Sequence, residues 1–171
     1  MNNLNTADCQ TVRQKYPSLI EKLVDIQRTE YREAIAFLYK DGSTSDIYKG
    51  EETSISLTKQ EQESVISGGD LVSSIHTHPE GFDLSTIDIM TGVMTEQEYM
   101  CVAVPVQTDG KGSDYVMSCL DLSSLSQIQR GKLFRRMRRS SVGVSNLGRL
   151  IRKEFNLNRF DLDGCRIVKV D

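Results

Sequence analysis

Hydrophobic positions along the chain follow two repeats, one typical of helices and one typical of strands. A spacing of three to four residues predicts helices over residues 9–30, 59–66 and 86–95, and over a long region that ends near residue 155. Alternation or short apolar runs predict strands over residues 34–39, 46–48, 54–57, 71–78, 99–106, 115–120 and 165–170. This order predicts an α/β fold in which helices flank a mixed central β-sheet and strand 71–78 is central.

The length and composition are those of an ordinary globular domain. With 171 residues, of which 38% are hydrophobic and 26% charged, we expect one domain over residues 1–171 with a substantial core. No apolar run approaches the roughly 20 residues that cross a bilayer, which argues against a membrane protein. Residues 1–10 lack the basic and apolar parts of a signal peptide, and we expect disorder there.

The four cysteines are widely scattered, and none forms a Cys-x-x-Cys pair. Cys101 and Cys119 fall inside apolar runs that are typical of strands, where small buried hydrophobic side chains are the favoured interpretation. A disulfide or a zinc site that joins these two cysteines is the less favoured alternative. Free thiols without an export signal predict a reducing compartment, so we expect a cytoplasmic protein.

Both histidines of the chain lie in one tetrapeptide, His76-Thr77-His78-Pro79. Residues two apart in a strand point to the same face, so the two imidazoles are predicted to lie side by side. The carboxylate of Asp88, ten residues after the second histidine, would complete a set of three protein ligands. Three protein ligands with one open position are typical of a catalytic zinc site. The alternative for an isolated pair is two polar histidines near a turn.

The string from His76 to Asp88 resembles the signature of the JAMM metalloproteases, also called MPN or JAB proteins. That signature is His-x-His-Pro, a short loop, and then Ser-x-x-Asp. The resemblance implies a cytidine-deaminase-like JAB/MPN domain in which His76, His78 and Asp88 bind zinc, and Ser85 stabilises the oxyanion of the reaction. The loop between Pro79 and Ser85 is slightly shorter than is usual in the family, which would narrow the cleft beside the metal without displacing the ligands.

A metal-activated water needs a carboxylate that accepts its proton and passes it to the leaving amine. Glu33 is the favoured candidate because it opens an apolar strand. In the family that the chain resembles, the catalytic Glu has a small residue three positions later and a Leu five positions later, as Ala36 and Leu38 are here. Glu30 is the competitor, although its polar neighbourhood reads as the end of a helix.

Several of these residues also have an ordinary structural interpretation. Ser85 and Asp88 match a helix capping box, and a helix that begins at Ser85 would hold Asp88 in its first turn near the histidine strand. The loop residues are expected to serve turns, packing and solvation rather than chemistry; these are Glu80, Gly81, Phe82 and Asp83.

The residues from 122 to 155 form a basic C-terminal helical region. Residues 122–153 hold nine of the 21 Lys and Arg residues and no acid. The favoured interpretation is a solvated helix face that pairs with the acidic remainder of the chain. The alternative is a docking surface, over residues 130–153, for an acidic partner. Nucleic acid is disfavoured because Phe134 is the one aromatic residue among the basic positions.

Together these patterns predict a zinc-dependent peptidase or isopeptidase with Glu33 and Ser85 as catalytic residues. The family resemblance implies a protein substrate, a ubiquitin-like protein or its conjugate, whose tail is joined to a lysine amine. One alternative is a zinc hydrolase of the same type that acts on another peptide or a small amide. The other is a scaffold protein that keeps the fold without activity.

Overall fold

A computed structural model describes residues 9–79, 86–105, 115–123, 125–139, 157–162 and 165–170. The helices are α1 (Cys9–Lys15), α2 (Pro17–Glu30), α3 (Lys59–Ser67), α4 (Thr86–Met94) and α5 (Gln127–Arg139). The strands are β1 (Ala34–Tyr39), β2 (Tyr48–Lys49), β3 (Leu71–Thr77), β4 (Tyr99–Pro105), β5 (Tyr115–Asp121), β6 (Leu157–Leu162) and β7 (Cys165–Val170). Within the described part, no helix has both the length and the apolar character that a membrane crossing requires.

The seven strands form one mixed sheet in the order β2-β1-β3-β4-β5-β7-β6. β3 pairs with β4 in parallel, as β5 does with β7, and all other neighbours are antiparallel. The first five strands in this order form the part of the sheet that surrounds the two histidines. The predicted α/β fold, a mixed sheet flanked by helices, is therefore confirmed, and β3 is an interior strand.

Helices cover both faces of this sheet. α1 and α2 pack on one face, and α4 and α5 pack on the other. Alternate residues of β4 separate into the two layers: Tyr99, Cys101 and Ala103 face α1 and α2, whereas Met100, Val102 and Val104 face α4 and α5. Because β4 is buried on both sides, its sequence is continuously apolar instead of alternating.

Two helical predictions are confirmed with local corrections. The pattern over 9–30 forms two helices that meet at Tyr16, because the proline ring of Pro17 disfavours a helical backbone in the residue before it. The helix predicted at 59–66 is α3. It begins with a capping box, in which Thr58 and Glu61 each accept a hydrogen bond from the backbone N–H of the other.

The predicted strand at 54–57 is wrong, since this segment pairs with no strand of the sheet. Its alternation is nevertheless real, because Ile55 and Leu57 are half-buried and the serines between and before them are exposed. The return strand predicted at 46–48 is only two residues long and shifted to Tyr48–Lys49. β6 falls in a stretch for which the sequence pattern predicts no strand, and it forms an antiparallel hairpin with β7.

The expectation of free thiols at Cys101 and Cys119 is wrong. They are fully buried, as predicted, but they face each other across the antiparallel pair β4 and β5 and form a disulfide with a Cα–Cα distance of 4.1 Å. Disulfides are rare in reducing compartments. The thiol argument for a cytoplasmic location is therefore lost.

The basic helical region also departs from its favoured interpretation. Lys132 and Arg135 of α5 are exposed, as a solvated face requires. Arg130, however, is buried, and its guanidinium donates hydrogen bonds to the carbonyl oxygens of Gln97 at 3.1 Å and Leu122 at 2.7 Å. This cation ties α5 to the ends of the loops beside β4 and β5, and it is not available to a partner.

Gly92 determines how closely α4 packs on the sheet. A Cβ at this position would overlap the Sδ atom of Met100 in β4. We predict that Gly92→Ala destabilises the protein by about 1–3 kcal/mol through overpacking, although alanine raises intrinsic helix propensity by up to ~1 kcal/mol. Gly131→Ala in α5 is the matched control, because its Cβ would meet only the end of Arg135 at 3.8 Å. In urea unfolding, Gly92→Ala should lower the free energy of unfolding and Gly131→Ala should raise it. A stabilised Gly92→Ala variant would contradict the close packing.

The disulfide predicts a second effect on stability. Replacing Cys101 and Cys119 together with Ala should lower the free energy of unfolding by about 2–4 kcal/mol, because the open chain gains entropy when it unfolds. Urea unfolding of the variant and of the wild type, with and without a reductant, measures this difference. Alkylation of both cysteines in denatured, unreduced protein would show that the bridge does not form.

Candidate metal centre

The backbone of β3 places the two imidazoles on the same face of the sheet. His76 lies between Ile35 of β1 and Val102 of β4 in the strand register. The N–H of His78 donates to the carbonyl oxygen of Ala103 at 3.3 Å, which continues the parallel pairing one residue past the end of β3. Both imidazoles therefore belong to a rigid, paired part of the sheet, and both are buried.

Asp88 reaches the same point from the first turn of α4. The Nε2 atoms of His76 and His78 lie 3.1 Å apart. The Asp88 carboxylate lies 3.3 Å from Nε2 of His76 through Oδ1 and 3.2 Å from Nε2 of His78 through Oδ2. Atoms that bind one ion tetrahedrally at ~2.0–2.1 Å are separated from each other by roughly 3.3 Å. The two Nε2 atoms are close to that separation, and one ligand atom from each of the three residues lies within 4.8 Å of the others, so His76, His78 and Asp88 could bind a metal ion.

The charge of Asp88 is stabilised by its two neighbours. Burial opposes ionisation of this carboxyl, but the charges and hydrogen bonds of His76 and His78 outweigh that effect and hold its pKa well below the usual range. An ionised carboxylate beside two imidazole nitrogens is the donor set that zinc prefers. The electrostatics therefore agree with the geometry.

The other ring nitrogen of His76 is unusual. Its Nδ1 atom is buried and has no hydrogen-bond partner among the described residues. A histidine that binds a metal through Nε2 carries its proton on Nδ1 and usually donates it to a second group. Here the described part of the chain supplies no such group.

Glu33 lies directly before β1 and faces the histidines. Its Oε1 atom is 3.9 Å from Nε2 of His78, too far for a direct hydrogen bond and close enough for both groups to contact one small molecule. Burial raises the pKa of Glu33, an effect that His78 and His76 oppose and Asp88 reinforces. A carboxylate with a raised pKa is a better proton acceptor than one in water.

The backbone of Glu33 is held by the turn that follows β2. Its N–H donates to the carbonyl oxygen of Glu51 at 2.8 Å, and its own carbonyl accepts from the N–H of Gly50 at 2.7 Å. A Cβ on Gly50 would overlap the carbonyl oxygen of Ser54, so only glycine permits this close approach. This turn fixes Glu33 and also directs the chain over the site.

Thr77, between the two histidines, has a positioning role that the sequence analysis does not identify. Its side chain points to the opposite face of β3, where Oγ1 accepts the N–H of Ala34 at 3.0 Å and donates to Oε1 of Gln27 in α2 at 3.1 Å. These buried bonds join the end of β3 to the start of β1, next to Glu33. The sequence contained a signal for this role: a residue that can form hydrogen bonds stands between the two histidines, and in a strand its side chain must point to the opposite face.

The competing carboxylate, Glu30, lies outside the site. It is exposed at the end of α2, where Oε1 accepts a hydrogen bond from Nζ of Lys49 at 2.7 Å. Arg32 approaches its other oxygen at 4.0 Å. Of the two acidic residues considered for proton transfer, the structure brings only Glu33 to the histidines.

Ser85 and the loop residues 80–84 lie outside the described residues. The helix predicted after Ser85 is α4, which begins at Thr86 and carries Asp88 in its first turn. As the sequence predicts, the start of this helix holds Asp88 near the histidine strand.

A cavity of about 560 Å³ includes the candidate metal centre in its lining. Its walls come from β1, β3, β4, α3, α4 and the segment 53–57. Pockets of this volume are typical of sites for small molecules or short peptide segments. The three predicted ligands and Glu33 all line it.

Compared with known protein families and with curated proteins, the sequence matches none.

Thr77 allows a test of how the histidines are positioned. Thr77→Val keeps the shape of the side chain but leaves the N–H of Ala34 and the side chain of Gln27 without their shared partner. We predict a loss of about 1–3 kcal/mol of unfolding free energy and weaker Zn²⁺ binding, whereas Thr77→Ser retains both bonds and should lie close to wild type. Calorimetric zinc titration and urea unfolding measure these effects; equal zinc affinity in all three proteins would contradict a positioning role.

Proposed function

We propose that the protein is a zinc-dependent peptidase or isopeptidase of the JAMM type. The observation that supports this most strongly is the convergence of His76, His78 and Asp88, from two separate elements, close enough to bind one ion and with Glu33 beside them. A structural zinc site usually has four protein ligands, whereas three ligands beside a cavity favour a catalytic one. A scaffold protein would not require this arrangement.

A zinc ion bound to these three ligands would polarise a substrate carbonyl and lower the pKa of water towards about 7. The proton is transferred by a side chain of the protein, that of Glu33. Glu33 accepts a proton as the water oxygen bonds to the carbonyl carbon, and it returns that proton to the nitrogen as the carbon–nitrogen bond breaks. Products are a carboxylic acid and an amine. General acid–base help of this kind is typically worth about 10²–10⁴ in rate.

The resemblance assigns the stabilisation of the oxyanion to Ser85. Removing one donor of this type typically costs about 10²–10³ in rate. Because Ser85 lies outside the described residues, its role in the proposal depends on the motif alone. The residues that bind the metal and move the proton are supported by geometry as well.

The substrate class of the proposal is a ubiquitin-like protein joined to a lysine amine, or a precursor of such a protein. This part depends on the family resemblance. We also propose that the region 130–153 binds an acidic partner. Its exposed cations, among them Lys132 and Arg135, would make the contact, whereas Arg130 is buried and would not. The cytoplasmic location expected from the sequence has lost its support from free thiols, because Cys101 and Cys119 form a disulfide.

Metal content and hydrolysis together test the proposed function. Purified wild type should contain about one zinc ion per chain and cleave an isopeptide or a ubiquitin-like fusion. His78→Ala should lose both, because two remaining ligands bind zinc weakly. Glu33→Gln should keep the zinc and lose at least ~10² in kcat, because the amide cannot accept the proton. Elemental analysis and a gel-based cleavage assay measure the two quantities.

Glu30→Gln is the matched control for the loss of a carboxylate. It changes an exposed residue of the same type three positions earlier and should leave zinc content and cleavage unchanged. Wild type without zinc would contradict the metal centre. Zinc without cleavage of any ubiquitin-like substrate would favour a zinc hydrolase with another amide substrate.

A further inference from the structure

The cavity beside the candidate metal centre extends well beyond the four residues that would carry out the chemistry. Its remaining walls are predominantly apolar. We call this part of the cavity the apolar half; it consists of Ile35, Phe37, Ile55, Leu57, Val65, Ile66, Leu71 and Met100. It is continuous with the candidate metal centre because His76, His78 and Asp88 line the same cavity.

Several side chains of the apolar half are only half-buried although they occupy positions that a core would bury. Ile35 lies in β1 between β2 and β3, and Leu71 begins the interior strand β3, yet both remain half-buried. Ile66 of α3 is 74% exposed where it lines this cavity. These apolar surfaces face a concavity and not a neighbouring layer, so a bound apolar group would remove them from water.

Charge restricts what this half of the cavity can bind. Among the described residues that line the cavity, the titratable groups are the two histidines, Asp88 and Glu33, which lie together at the candidate metal centre. The polar groups elsewhere in the lining are neutral and already bonded in part: Ser74 donates to Gln97 at 2.8 Å, and Gln97 donates to Thr95 at 2.9 Å. A charged substrate side chain placed in the apolar half would lose water without gaining a counter-ion among the described residues.

We propose that the apolar half binds an uncharged segment of the substrate that carries large apolar side chains and adjoins the hydrolysed bond. The position of that bond rests on the proposed function, whereas the chemistry of the segment follows from the lining. Leu, Ile and Phe side chains suit this surface. Segments rich in Lys, Arg, Asp or Glu do not, so the substrate is an apolar peptide segment and not a charged tail.

Binding of blocked tetrapeptide amides tests this assignment. The probes are acetyl-Ala-Leu-Phe-Ala-amide, the same peptide with Lys-Arg in place of Leu-Phe, and the same peptide with Glu-Asp. Metal-free Glu33→Gln protein is titrated, so that neither zinc nor hydrolysis contributes. Calorimetry should give a Kd for the Leu-Phe peptide at least about tenfold below that of either charged peptide, which corresponds to ~1.4 kcal/mol.

Two cavity variants and one surface control locate the binding. In the Glu33→Gln background, Ile55→Asp places a carboxylate in the half-buried wall of the cavity, and Leu57→Asp is a second variant on the same segment. Ile128→Asp changes an isoleucine that is 70% exposed on α5, away from the cavity. Each cavity variant should weaken binding of the Leu-Phe peptide by at least about tenfold, and Ile128→Asp should not. Circular dichroism checks that all three are folded.

The outcomes separate this inference from the proposed function. Equal affinity for the three peptides, binding of none of them, or equal weakening by Ile128→Asp would overturn the inference even if zinc and cleavage are found. Selective binding of the Leu-Phe peptide in a protein whose wild type contains no zinc would support the apolar segment as the ligand. In that case only its position beside a hydrolysed bond would be lost.

Discussion

The carboxylate of Asp88 lies against two imidazole rings at the point where α4 meets β3. Burial alone would oppose its charge, so the arrangement requires the two Nε2 atoms that face it, or an ion between the three groups. The position of α4 follows from the same requirement, because the helix must approach closely enough for its first turn to reach the strand. Gly92, one turn later, permits that approach by leaving room for Met100.

The two faces of β3 perform different tasks with adjacent residues. On one face His76 and His78 line the cavity, and on the other Thr77 binds the start of β1 and the side chain of Gln27. Glu33 lies directly before β1, so the bonds that hold Ala34 also help to fix the distance from Glu33 to the histidines. The fold and the candidate site share these hydrogen bonds. A substitution that removes one of these bonds is expected both to destabilise the fold and to displace the residues of the candidate site.

The cavity exists because one alternating segment does not join the sheet. Residues 53–57 are directed by the tight turn at Gly50 and pass over the open face of β1 and β3. The apolar side chains of this segment therefore face a concavity. Had the segment paired with a sheet edge, it would lie in the plane of the sheet, and the cavity would lose the wall that residues 53–57 provide.

Local patterns determined most of the elements and part of the site. The period of two in His76-Thr77-His78 implied neighbouring imidazoles, and Glu33 was preferred to Glu30 because it opens an apolar strand. Long-range partners could not be deduced in this way, because periodicity reports the direction and burial of a side chain but not what it meets. The disulfide of Cys101 with Cys119, the inward turn of Arg130 and the cavity under segment 53–57 were decided by tertiary structure. The sequence alone specified which chemical groups were present and how they were spaced; the pairing of strands and the packing of α4 decided which of them came within bonding distance.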